Sequence, residues 1–198
     1  MSLTVAPPLI IQDPGFLFLA PLLTAEPAHA VLSSTYDADV IAATWVAGGA
    51  TEDGSTFSYE VGVEPVYVAE FQDPIKYSTV KRAASLSFNL ADWTLKRLAR
   101  AFNGAITSTV SGSGATLSSK LLPAASGLEI RQMVLWESQD HTFRIVGYQT
   151  LNSGPIASPF KKAPSYAVVP CTLNFEVPTG APQQPFAMYA AGTGRLGV

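Results

Sequence analysis

The chain has 198 residues, 47% of them hydrophobic and only 14% charged, with a formal net charge of −3. That length suits one domain with a real core, or two small ones. A charged share well below the usual ~25% points to a subunit that buries extra area against partners. The net charge argues against a chain-wide nucleic-acid binder. The single cysteine, Cys171, excludes an intrachain disulfide, so nothing demands an oxidising compartment.

Charge is unevenly spread. Residues 1–75 hold ten acids and no Lys or Arg, whereas residues 76–198 hold all twelve Lys and Arg against five acids, a balance of +7. Such a chain can attract copies of itself, provided its acidic and basic parts face apart.

In chain order, FLFLAPLLTAEPAHA from Phe16 has the apolar run and Ala-x-Ala end of a signal peptide. It lacks a basic start, and Asp13, Pro14 and Pro21 interrupt it, so residues 1–35 are expected to form an ordered N-terminal arm. The uncharged run Pro14–Ala25 is too short to span a bilayer, and no membrane association is expected. Residues 36–190 are expected to form one β domain, and residues 191–198 a C-terminal tail. VIAATWVA and STFSYEVGVEPVYVAEF, joined by the Gly-rich GGATEDG, predict a long hairpin. In its second strand Tyr59, Val61 and Val63 face one way, Glu60 and Glu64 the other.

AASLSFNL alternates cleanly, with Ala84, Leu86, Phe88 and Leu90 on one face. LADWTLKRLARAFNG then predicts the one helix, over about 90–103, capped by Asn89 or Asp92 and stopped at Asn103-Gly104. Ala91, Leu95, Leu98 and Phe102 form its apolar stripe; Trp93, Lys96, Arg97 and Arg100 lie opposite. Residues 104–127, rich in Gly, Ser, Thr and Ala, read as a long functional or mobile loop. LEIRQMVLWE and TFRIVGYQTL flank SQDH as a second hairpin, apolar on both faces and so covered on two sides. YAVVPCTLNFEV alternates too, with Pro170 requiring an edge or a bulge.

Catalytic signals are weak. ESQDH offers Glu137, Asp140 and His141 to a metal, but a polar hairpin turn favours these residues anyway. Cys171 lies on an apolar strand face, where a thiol is structural. GTGRLG, Gly192–Gly197, matches G-x-G-x-x-G, but only Val198 follows where a helix is needed. No enzyme activity, cofactor or metal is expected. Trp93 among Lys96, Arg97 and Arg100 is a minimal stacking-and-phosphate cluster; three charges make a weak footprint, and a partner-facing helix side is preferred.

The order of features is specific. An acidic hairpin leads into VEPVYVAEFQDPIKYSTVKRAASLSFNLADWTLKRLARAFNG, then a Gly/Ser loop, then W-E…FRIVGYQT, then FKKAPSYAVVPCTLNFEVP. This pattern, over about residues 36–190, resembles the major tail tube proteins of long-tailed, siphovirus-type bacteriophages. The resemblance implies a mainly β fold, a β-sandwich or barrel-like tail tube domain with one flanking α-helix and extended loops and termini. It implies hexameric rings, joined sheet edge to sheet edge and stacked head to tail into the conduit that delivers the genome. Partners would be other copies of the chain, the tape measure protein, tail terminator and tail tip proteins, and DNA passing without specific binding. Localisation would be the virion tail, with assembly in the host cytoplasm. Glu60, Glu64 and Glu70 are then lumen-facing candidates, and Trp93, Lys96, Arg97 and Arg100 intersubunit candidates. Related readings are a tail terminator, a tube initiator or a secretion-system tube. A different class is a small nucleic-acid-binding β domain using the basic helix.

Overall fold

The computed structural model describes residues 15–27, 44–110, 113–114, 116–139, 143–160, 166–180 and 182–190. The fold is mainly β with one helix, as the strand-rich sequence requires. Strand β7 (Gln132–Glu137) is buried along its whole length, and β8 (Phe143–Asn152) along most of it. They pair antiparallel, Leu135 opposite Val146 and Trp136 opposite Ile145, as the predicted second hairpin. Apolar side chains on both faces of these strands need cover on both faces. On one face Val134, Trp136 and Ile145 join a cluster with Leu17, Leu86 and Cys171. On the other Met133, Leu135, Val146 and Tyr148 join Phe18 and Trp45.

The remaining strands attach to that hairpin. Strand β1 (Phe16–Pro21) pairs with β7 over all six residues, so part of the expected N-terminal arm is a sheet strand. Strand β2 (Val46–Ala47) pairs with β1 and not, as expected, with the strand after GGATEDG. The residues of VIAATWVA before Thr44 lie outside the described residues. Strand β3 (Thr51–Val66) instead pairs with β4 (Lys76–Leu90) in a ribbon of 16 and 15 residues. TEDG is no turn. Asp53 (φ 58°) and Gly54 (φ 77°) bulge out of β3, and pairing resumes at Ser55.

Strand β9 (Val169–Phe175) pairs with β4. It meets β8 only from Leu173 to Phe175, so Pro170 sits where that side is an open edge. Strand β10 (Phe186–Ala190) takes the other half of the β8 side that β9 shares, pairing with Phe143–Gly147. The sheet order is β2-β1-β7-β8-β9-β4-β3, with β10 branching from β8. Leu17 and Leu19 of β1 share a core with Leu86 and Leu90 of β4, so the sheet curls over its apolar face.

Residues 104–127 are not a loop. Strands β5 (Ala105–Val110) and β6 (Thr116–Leu122) form a separate hairpin. Its small polar residues disguise a period of two; Ser108 and Ser119, directly opposite, bond through their hydroxyls at 3.0 Å.

The helix α1 (Leu95–Ala101) is shorter than 90–103, because β4 keeps Asn89 and Leu90 in the ladder. Thr94 is the N-cap residue and makes no side-chain cap bond; the Asp92 carboxylate accepts the Thr94 N–H at 2.9 Å. Its buried residues are Leu98, Ala99 and Ala101, whereas Leu95 and Phe102 of the expected stripe are exposed. The stop is as expected. Asn103 adopts φ 50°, and the Gly104 and Asn103 N–H groups bond to the Ala99 and Arg100 carbonyls at 2.7 and 3.2 Å, a Schellman closure. The Asn103 amide also clasps Asn152, donating to its carbonyl at 2.7 Å and accepting its N–H at 3.1 Å. That clasp ties the helix end to β8.

Among the described residues one charged pair lies inside. The Arg144 guanidinium (1% exposed) donates twice to one Glu137 carboxylate oxygen, at 2.7 and 2.9 Å, and once to the Pro27 carbonyl at 3.0 Å. Removing one partner of a buried pair strands the other charge, whereas removing both does not. Glu137→Ala should therefore lower folding stability by about 3–5 kcal/mol, read as a fall in urea midpoint. Glu137→Met with Arg144→Met should cost clearly less; an equal or larger loss would show that the pair does not behave as a desolvated unit.

Candidate functional site

The outer half of the β3–β4 ribbon projects from the core. Ala84 is the last buried residue of β4, and Lys76–Arg82 are all exposed, a reach of roughly 23 Å at about 3.3 Å per residue. Beyond Tyr59 and Ala84 nothing apolar among the described residues covers it, yet it does not carry polar side chains alone. Val61, Val63, Tyr77 and Val80 stand exposed on the strands, and Tyr67, Phe71 and Ile75 at the tip. Isolated exposed apolar residues are ordinary, but a run along one projection marks an interaction surface.

The two ribbon faces differ. Phe57 and Tyr59 both meet the Phe186 ring edge-on, at 5.3 and 5.6 Å, so the odd residues of β3 continue the core face outward. Val61 and Val63 lie on that face. Glu60 and Glu64 lie on the other, as the alternation predicts, with Ser58 and Gly62 between and around them. Their cross-strand neighbours on that face include Lys81, opposite Gly62, and Lys76, opposite Val66. Two acids and two lysines thus share one exposed face. The acidic first third of the chain is not a separate pole here, because β4 brings bases alongside it. Glu70 is exposed in the connection between the strands, not on a strand.

The outer edge of β3 has no neighbour among the described residues, since the sheet order ends at that strand. Sixteen residues is far longer than the mean strand of about 5–6, and a long free edge presents unpaired N–H and C=O groups.

The four helix-side candidates divide. Trp93 donates its indole N–H to the Ala167 carbonyl at 2.7 Å and stacks obliquely on Phe160 at 5.4 Å, fastening the segment before β9. Arg97 pairs with Asp92, reaches the Ala47 carbonyl, and packs where a side chain at Gly49 (φ 111°) would stand. Thr94's backbone N–H and then the Arg97 charge hold the Asp92 carboxyl below its ordinary value, against burial. These two residues are engaged within the chain. Lys96 is exposed. Arg100 is half-buried, and desolvation followed by the Arg97 charge depresses its pKa. Its surroundings therefore disfavour its own charge.

Lys96, Arg97 and Arg100 border an open groove of about 860 Å³ between α1, the β1–β2 side and the base of the β5–β6 hairpin. Its apolar wall includes Pro21, Leu22, Val46, Ile106 and Ile130. Arg131 closes the far side, bound to the Glu176 carboxylate at 2.6 Å. Sequence reading missed this groove because its walls come from four separate stretches of chain.

Catalytic groups do not converge on it. Among the described residues there is no cluster of three His, Cys, Asp or Glu that could hold a metal. Asp140, His141, His29 and the GTGRLG tail lie outside the described residues, and Glu137 is bound to Arg144. Cys171 is buried, and burial pushes its thiol up to about 12. No described helix is long and apolar enough to cross a membrane. Compared with known proteins, the chain matches no family model and no curated relative.

Three outcomes follow. Arg97→Ala should lower stability by about 1–3 kcal/mol, whereas Lys96→Ala should stay within about 0.5 kcal/mol; matched urea midpoints for the two would refute the division. Cys171 should resist maleimide at pH 8 until the chain unfolds; rapid native labelling would contradict its burial. Because the folded thiol titrates above the ordinary 9.0, its contribution to stability is complete below pH 9 and lost as pH rises from about 9 to about 12. A Cys171→Ala chain should show a shallower alkaline decline.

Proposed function

We propose that the protein is a structural, non-enzymatic subunit that assembles with copies of itself into stacked rings, a tube of the phage-tail type. One observation carries the proposal: a 16-residue edge strand, free along its outer side among the described residues, on a ribbon that exposes Tyr59, Val61, Val63, Tyr77 and Val80 between its polar side chains. A soluble chain blunts such an edge or covers it, and a ring of identical subunits covers it by pairing edge to edge. The low charge of the chain suits a subunit enclosed on several sides.

The polar face of the sheet supports the conduit part of the reading. Ser58, Ser85 and Asn174 lie abreast on β3, β4 and β9, as do Thr56, Ser87 and Thr172. With Glu60 and Glu64 beside Lys76 and Lys81, this face is hydroxyl-rich and near neutral. Phosphates would meet neither strong attraction nor strong repulsion there, as passage of DNA without specific binding needs. The tape measure, terminator and tip proteins of a tail are the partners this reading entails, and the virion tail the location. The nucleic-acid-binding alternative loses support, because Trp93 and Arg97 are engaged within the chain.

Electron microscopy of the purified protein, concentrated from the monomer, should show rings or tubes of one repeating subunit. A chain that remains monomeric at every concentration and salt would sink the proposal. Val61→Asp with Val63→Asp should leave the monomer's melting unchanged and reduce assembled material at least tenfold; undiminished tubes would remove the ribbon from the interface.

A further inference from the structure

The groove beside α1 and the tip of the β3–β4 ribbon are opposite in charge and matched in kind. The tip loop, residues 67–75, carries Glu70 and Asp73 and no base, with Tyr67, Phe71 and Ile75 exposed. The groove is apolar along Leu22, Val46 and Ile130, all of them exposed, and is bordered by basic side chains. Two of those, Arg97 and Arg131, already hold Asp92 and Glu176. Lys96 and Arg100 have no ion pair among the described residues. Two acids on the tip thus complement two groove bases that no ion pair among the described residues holds.

We propose that the groove is the receptor for the β3–β4 ribbon tip of a second copy of this chain, with Phe71 and Tyr67 entering between Leu22 and Ile130, and Glu70 and Asp73 meeting Lys96 and Arg100. The inference rests on the self-assembly reading and names its partner surfaces. Aromatic anchors in a desolvated pocket, ringed by charge pairs, are the usual core of a protein interface. Two arriving carboxylates would also favour the Arg100 charge, against the burial and the Arg97 charge that disfavour it. Tip and groove are different patches, so the contact is heterologous: each copy offers one tip and one groove, and the series extends or closes without self-limiting pairing. The ribbon's reach of roughly 23 Å carries the tip beyond its own core, as engagement of another copy requires.

Charge exchange tests this directly. Chains with Glu70→Lys and Asp73→Lys, and chains with Lys96→Glu and Arg100→Glu, should each fold by circular dichroism and each lose assembly at least tenfold. An equimolar mixture of the two should recover it, because reversed tips then meet reversed grooves in alternation. In parallel, Phe71→Cys on one copy should form a disulfide with Ile130→Cys on another, at least tenfold above its yield with Met188→Cys on β10. Buried Cys171 adds no background. Should the Arg100→Glu chain not fold, the mixture is made with Lys96→Glu alone and the cysteine pair decides. Tubes that form normally with reversed tips, or that give no Phe71–Ile130 cross-link, overturn the inference and leave the self-assembly reading standing. A wild-type chain that never assembles takes both down.

Discussion

The fold depends on the burial of one hairpin on both of its faces. Strands β7 and β8 carry apolar residues at successive positions, so neither face can be left to water. Each face then recruits its own cover: β4, β9 and α1 on one, the Trp45 and β10 side on the other. Hydrogen bonding recruits the rest, because β7 and β8 must also fill their outer ladders. The β1 strand completes β7, and β9 and β10 divide the far side of β8 between them. The Arg144–Glu137 pair sits at the hairpin's closed end and reaches Pro27, which draws the chain after β1 across the second face. Tyr189, on β10, holds Glu26 of the same segment at 2.6 Å. A few polar contacts thus set the direction of a segment whose burial is hydrophobic.

A consequence follows for the ribbon. Core residues are exhausted by Leu86 and Ala84, yet β3 and β4 continue together well past that point. An isolated two-stranded hairpin is marginal in water, and this one adds exposed valines and aromatics to the cost. Among the described residues of one copy nothing offsets that cost. The same ribbon becomes ordinary once its edge and tip are covered, which is why assembly, and not a bound small molecule, is the economical explanation of its length.

Much of this was readable from alternation. AASLSFNL shows its buried face residue by residue, YAVVPCTLNFEV shows its own at Val169, Cys171 and Leu173 although Val177 at its end is exposed, and the two-sided apolar pattern of the β7–β8 hairpin announces a central position. Asn103-Gly104 stops the helix as its chemistry requires. Elsewhere the deciding contacts are distant in sequence. Phe16–Pro21 resembles an arm because it is short and Pro-bounded; only its partner β7, more than a hundred residues later, makes it a strand. GGATEDG has turn composition, but Asp53 and Gly54 use their tolerance of positive φ for a bulge. The Ser/Thr-rich β5–β6 hairpin lacks the apolar signal by which strands are found. Charge blocks along the chain suggested two poles, yet antiparallel pairing sets Lys76 and Lys81 beside Glu60 and Glu64. Among the helix candidates, Trp93 and Arg97 turn inward to carbonyls that no local pattern reveals.

The irregularities of β3 limit what its free edge can accept. Pairing with β4 is interrupted twice, by the Asp53-Gly54 bulge of β3 and by an extra residue of β4, Val80, opposite the Gly62–Val63 step. A strand added to the outer edge would find its twist and spacing broken at the Asp53-Gly54 bulge, because bulges bend and twist the strand that carries them. Beyond, Pro65 has no N–H to offer. An edge of this kind does not invite indefinite, sliding cross-β pairing, in which long flat strands accept any register. It admits a partner in few registers over a short span. That is the requirement for a ring, where every subunit must meet the next at the same rotation or closure fails. The same features that keep the exposed edge from aggregating therefore make it fit for a closed assembly.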